Sequence, residues 1–117
     1  MCVLTIVAYA QNPVYSDPAF STENDSIIVY YDATMGNQAL KDYSGTLYAH
    51  TGVMIEGSSQ WEYVWTSWPS TNVDKNKLLK ISDNLYKLVI GYPHEYYSCP
   101  DSVKILKLAF VFRSTSG

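Results

Sequence analysis

Thr46-Leu-Tyr-Ala-His-Thr-Gly-Val-Met-Ile55 alternates Leu47, Ala49, Thr51 and Val53 with Tyr48, His50, Gly52 and Met54. Successive side chains of an extended strand point to opposite sides, so the run offers one compact row and one row carrying a tyrosine and a histidine. The turn Glu56-Gly-Ser-Ser59 separates it from Gln60-Trp-Glu-Tyr-Val-Trp-Thr-Ser67, which reads as the next strand. Upstream, residues 26–32 place Ile27, Val29 and Tyr31 on one face and Ile28 and Tyr30 on the other, as in a strand covered on both sides. Downstream, residues 77–81 and 85–90 flank Ser82-Asp83-Asn84, a hairpin signal of the three-residue kind, and residues 103–112 form a long closing strand. Residues 38–43 and 93–100 have room for one helical turn each.

This rhythm of short strands and turn residues, with no sustained 3.6-residue period, predicts an all-β fold. The expected form is an antiparallel immunoglobulin-like β-sandwich of about seven strands. A small barrel has the same local signature and stays open as an alternative. An alternating βα architecture needs several helices of about ten residues or more, and the chain has no room for them.

A chain of 117 residues supports one core and one domain. Hydrophobic residues make up 47%, which excludes wholesale disorder, whereas charged residues reach only 16%. Eleven tyrosines stand against three phenylalanines; an apolar ring with a polar tip suits half-buried strand faces and recognition surfaces. The net charge of −3, with Arg113 the single arginine, argues against a nucleic-acid partner, which calls for clustered cations.

Residues 1–10 form an apolar run ending in Ala8-Tyr9-Ala10, the small-x-small pattern of a signal-peptide cleavage site. They are expected to be the remnant of an export signal, with residues 11–117 as the mature domain, and a first strand over residues 2–8 is the competing reading. The run is about half the ~20 residues needed to span a bilayer. Cys2 and Cys99 make no zinc pattern, and sequence alone leaves their pairing open. Ser114-Thr-Ser-Gly117 has the composition of a linker leading to further domains.

No nucleophile elbow, phosphate-binding loop, His-Glu-x-x-His or paired-cysteine motif occurs, so no catalytic residue, metal site or cofactor is expected. Asp32, Asn37 and Asp42 surround a glycine turn and could offer oxygens to calcium, but ordinary turn chemistry explains the same residues without it. His94 lies five positions before Cys99, yet no electropositive neighbour is present to activate that thiol.

The chemistry-bearing feature is instead aromatic. All three tryptophans, Trp61, Trp65 and Trp68, fall within eight residues, and His50 lies on the strand just upstream. If residues 60–67 are extended, Trp61, Tyr63 and Trp65 share a face. That face either fills the core or lies outward as a platform on which pyranose rings stack, with His50 supplying hydrogen bonds. Trp68, at the strand end beside Pro69, is the candidate for exposure.

Several stretches together carry a resemblance. They are Ile27-Ile-Val-Tyr-Tyr-Asp-Ala-Thr-Met-Gly-Asn37, Tyr48-Ala-His-Thr-Gly-Val53, Trp61-Glu-Tyr-Val64, Asp83-Asn-Leu-Tyr86 and Lys104-Ile-Leu-Lys-Leu-Ala-Phe-Val-Phe-Arg113. In order, and over almost all of the chain after residue 20, this resembles the amino-terminal immunoglobulin-like, starch-binding-type module of bacterial outer-membrane-associated α-amylases and related glycan-utilisation proteins. The resemblance implies an exported, non-catalytic domain that serves glycan utilisation in the cell envelope, and the domain is expected to be monomeric. It also implies a neutral polysaccharide such as an α-glucan as ligand and a covalently linked catalytic domain as neighbour. The rival expectation is a structural spacer of the same fold that touches no sugar; burial of Trp61, Trp65 and Trp68 together would decide for it.

Overall fold

The computed structural model describes residues 5–8, 14–35, 38–68 and 70–115. In chain order the elements are β1 (Thr5–Ala8), β2 (Val14–Asp17), β3 (Ile27–Asp32), β4 (Tyr48–Ile55), a 3₁₀ turn (Asp74–Asn76), β5 (Leu79–Ser82), β6 (Leu85–Gly91), the single-turn helix α1 (Pro93–Tyr96) and β7 (Ile105–Arg113). They form a four-stranded antiparallel sheet of order β2-β3-β6-β5 and a three-stranded sheet of order β1-β7-β4. β4 runs antiparallel to β7, whereas β1 lies parallel to it, a departure from a purely antiparallel arrangement. The chain is therefore all-β among the described residues, its one α-helix a single turn.

Period-two alternation builds the core. Ile27, Val29 and Tyr31 of β3, and Tyr86, Leu88 and Ile90 of β6, are buried from one sheet. Ala49 and Val53 of β4 meet them from the other, with Leu108 and Phe110 of β7. Burial of a Leu108 or an Ile27 side chain contributes about 2 kcal/mol from its apolar area. Tyr31 stacks on Phe112 at 4.5 Å between ring centroids, an aromatic contact that joins the two sheets. Thr51 is the polar member of this row. It is fully buried because its hydroxyl donates to the Ala109 carbonyl at 2.6 Å and pairs with the Tyr97 hydroxyl at 2.7 Å.

Ser82 pairs with Leu85, and the β5–β6 hairpin turns on Asp83 and Asn84, with Asn84 left-handed (φ 64°) and a register irregularity between Lys80 and Ser82, as in a hairpin that closes on a left-handed residue and a bulge. Residues 38–43 form successive turns rather than a helical one, with Gln38 and Asp42 also at positive φ. β2 has no counterpart among the expected strands; at four residues between prolines it is too short to show a period. The largest correction concerns residues 60–67. They do not form a strand: Glu62 alone makes a bridge to Val53, and Tyr63 at φ +52° then turns the chain out of the extended conformation. Within the presumed export run, Thr5–Ala8 lie as β1; residues 1–4 and 9–10, the boundary at Gln11, Cys2 and any Cys2–Cys99 bridge fall outside the described residues.

His94 holds the far end of the domain together. Its Nε2 lies 2.8 Å from Glu23 Oε1, and its Nδ1 lies 3.1 Å from the Cys99 and Pro100 carbonyl oxygens. Glu23 Oε1 also accepts the Ile105 amide at the start of β7. Burial alone would lower the imidazole pKa. The Glu23 hydrogen bond, the Cys99 carbonyl and the charges of Glu23 and Asp101 outweigh it, so the pKa is raised overall. Both ring nitrogens face acceptors, which is the arrangement an imidazolium wants. Stability from this group is therefore fully present below its ordinary pKa of 6.5 and lost as pH rises through the raised one. The difference in melting temperature between wild type and His94→Gln should hold below the ordinary pKa of 6.5 and shrink as pH rises from there through the raised one. A difference that stays constant or grows with pH would refute the raised pKa.

Candidate functional site

The outward row of β4 and its register partners on β7 make the floor of the site: Tyr48 opposite Arg113, His50 opposite Val111 and Gly52 opposite Ala109. After its bridge to Val53, the segment 61–68 swings across this floor. Gly52 is what permits the crossing, because a Cβ there would lie 2.5 Å from Val64 Cγ2 and 3.1 Å from the Glu62 carbonyl. Absence of a side chain at this strand position therefore serves close approach, not a turn.

The crossing brings Trp61 and Trp68 to either side of His50. Trp61 lies near-parallel to the imidazole at 6.0 Å and 28°; Trp68 meets it edge-on at 5.6 Å and 78°. His50, Trp61, Trp68 and Val111 line an open cleft of about 390 Å³. His50 and Trp61 are half-buried, while Trp68 remains 51% exposed. Behind Trp68 stands Arg113, whose guanidinium carbon is 5.8 Å from that ring and 5.6 Å from the Tyr48 ring. It is 2% exposed and donates to the Ser114 and Thr71 carbonyls, so the cation is anchored on the backbone and backs the aromatic wall. Its Nε has no hydrogen-bond partner.

His50 Nδ1 lies 2.9 Å from the Thr66 hydroxyl. Burial, and then the Arg113 charge, hold the imidazole pKa below its ordinary value, so the ring is neutral at neutral pH. A neutral imidazole between two indoles offers one polar atom in an apolar surround.

Sequence reasoning had grouped four residues, His50, Trp61, Trp65 and Trp68. The structure unites three of them and removes Trp65. The positive φ of Tyr63 breaks the alternation, so Trp61 and Trp65 no longer share a face. Trp65 instead packs against the core, edge-on to Tyr96 at 5.7 Å, with Lys75 Nζ 4.6 Å from its ring centroid. Val111, Thr66 and Arg113 were not foreseen as parts of the site. Val111 enters through register alone. The single arginine at the end of an apolar strand was the available hint for Arg113.

The remaining candidates are engaged locally. Asp32 accepts from the Thr34 hydroxyl and amide, and these bonds lower its pKa. Asp42 accepts from Asn84, and Asn37 lies outside the described residues. Among the described residues no group of three or more His, Cys, Asp or Glu could hold a metal ion. Cys99 is buried, its thiol pushed up first by burial, and His94 faces its carbonyl with Nδ1.

Residues 14–117 match the model of the family described as a domain of unknown function, DUF8578, and the chain belongs to that family. No curated protein matches it.

Gly52 tests the construction of the site. Gly52→Ala should displace segment 61–68 and destabilise the domain by about 1–3 kcal/mol, the usual cost of overpacking. Denaturant melts and near-ultraviolet circular dichroism of the tryptophans read both effects. Wild-type stability and an unchanged aromatic spectrum would show that the segment does not rest on the floor at Gly52.

Proposed function

We propose that this DUF8578 domain is a non-catalytic carbohydrate-binding module of immunoglobulin-like sandwich type. It takes starch or a related α-glucan and serves an exported glycan-degrading enzyme to which it is covalently linked. The observation that carries the reading is the cleft itself: two indole rings flank a neutral histidine over an apolar floor. Pyranose rings have apolar faces and hydroxyl edges, and such a cleft offers surfaces to the first and a hydrogen bond to the second. Its volume falls within the roughly 300–1,000 Å³ usual for small-molecule sites.

Strand order supports the immunoglobulin-like form. β2-β3-β6-β5 follows the A-B-E-D order of such sandwiches, and β4 paired with β7 follows C with F. The chain leaves the four-stranded sheet after β3 and returns at β5, as that topology requires. Trp68 is half in solvent, so burial of all three tryptophans, the outcome that would have decided for a spacer, does not arise.

One ring face covering ~100 Å² at ~25 cal/mol per Å² contributes roughly 2.5 kcal/mol. Two rings supply about 5 kcal/mol before association costs, which places a single site near millimolar affinity unless hydrogen bonds tighten it. Weak sites of this kind act by tethering: they raise the local substrate concentration for the attached enzyme without altering the chemical step.

Affinity electrophoresis in soluble starch, glycogen and pullulan gels is the test. The wild-type domain should be retarded, and Trp61→Ala or Trp68→Ala should weaken that retardation by about tenfold or more in dissociation constant. Trp68→Ala should shift the melting temperature little, because an exposed ring contributes little to the core. Trp65→Ala should do the reverse, costing about 3 kcal/mol of stability while leaving retardation of the folded protein intact. Unretarded migration of folded wild type in all three gels leaves only the spacer.

A further inference from the structure

The hydrogen bonds behind His50 can be assigned a direction one by one. The Ala109 carbonyl only accepts, so the Thr51 hydroxyl donates its proton there, at 2.6 Å. Thr51 Oγ1 must then accept from the Tyr97 hydroxyl, at 2.7 Å. The Thr51 backbone N–H donates to Thr66 Oγ1 at 3.3 Å. Thr66 is left with its own proton and, among the described residues, one remaining neighbour, His50 Nδ1 at 2.9 Å. Thr66 is buried, and a hydroxyl proton with no acceptor in such a place is costly, so it donates to Nδ1. A neutral imidazole whose Nδ1 accepts carries its proton on Nε2. That nitrogen has no hydrogen-bond partner among the described residues and belongs to a ring lining the cleft.

We propose that Thr66 is a positioning residue that commits His50 to the Nε2–H tautomer, so that the cleft recognises its ligand by donating a hydrogen bond to an oxygen held between Trp61 and Trp68. The proposal rests on the saccharide reading for its ligand and on hydrogen-bond direction alone for the tautomer. It narrows the ligand to one presenting an acceptor oxygen (hydroxyl, ring or glycosidic) at the edge of an apolar face. Trp61 and Trp68 select the shape, and Thr66 acts through His50 on the polarity. The Thr51 amide is a backbone donor on β4 that occupies the Thr66 oxygen, so the direction at His50 is fixed before any ligand arrives.

Long-range proton–nitrogen correlation spectra of ¹⁵N-labelled protein without ligand test the tautomer, with His94→Gln assigning the two rings. Wild type and Thr66→Ser should show His50 protonated at Nε2, and Thr66→Val should show a mixture. A wild-type ring protonated at Nδ1 overturns the proposal. Maltoheptaose titration then tests the consequence. Folded Thr66→Val should bind about fivefold more weakly, the scale of one neutral hydrogen bond, and Thr66→Ser close to wild type. Equal binding by wild type and Thr66→Val overturns the recognition role. An Nε2–H wild type that binds no maltoheptaose, starch or pullulan supports the tautomer assignment and overturns the saccharide reading instead.

Discussion

The free edge of β4 is closed by side chains and irregular backbone rather than by another strand, and the site depends on that closure. An unpaired edge would expose a row of amides and carbonyls, a row that proteins cover, charge or bend away. Here the Thr51 amide is taken by the Thr66 hydroxyl and the Ala49 carbonyl by Asn76 Nδ2, while both polar groups of Val53 go to the Glu62 backbone. Leu78 adds a bond to the Leu47 carbonyl. Asn76 is fully buried; it also donates to the Thr71 carbonyl and accepts from the Val73 amide, so one amide side chain holds the loop and the strand edge together. Irregular backbone can lie against this edge because each of these groups has a partner.

A regular strand in that position would have carried its side chains alternately inward and outward and could not have crossed the sheet. The single bridge at Glu62, followed by the left-handed Tyr63, frees the chain to climb over Gly52 and set Trp61 and Trp68 about His50. Edge closure and site construction are thus the same event. Thr66 joins them, since its hydroxyl serves the β4 edge and the imidazole at once. Arg113 completes the arrangement from β7. Burying a cation is expensive unless it is compensated; here two backbone carbonyls accept from the terminal nitrogens and two aromatic faces flank the guanidinium, while Nε stays without a partner. Its charge also helps to keep His50 neutral.

Much of the fold was legible in residue order. The alternation in residues 26–32, 46–55, 85–90 and 103–112 locates β3, β4, β6 and β7 to within two or three residues, because each contributes one face to a shared core and the two-residue period records it. β2 escaped notice because four residues hold too little period to read. Residues 60–67 were misread for a physical reason: Trp, Tyr, Val and Thr favour extended backbone, but here the bonds that would stabilise a ladder are made by Thr66, Asn76 and a single bridge. Of the aromatic group, His50, Trp61 and Trp68 converge and Trp65 does not. That partition hangs on one dihedral angle, at a tyrosine with nothing in its identity to announce a positive φ.

By itself the sequence determined the all-β class, the inward rows that make the core, and the presence of an aromatic, histidine-bearing stretch with no catalytic motif. These follow from local periodicity and residue chemistry, which need no partner to be read. Tertiary structure alone decided which tryptophans line the cleft, that Val111 floors it, and which nitrogen of His50 is engaged by Thr66. Each of those depends on groups far apart in the chain. Val111 reaches His50 through the β4–β7 register, and Thr66 reaches it through an edge bond. Arg113 reaches Trp68 through a stacking contact. No local pattern encodes such meetings, because their energies exist only once the two sheets have closed on a common core.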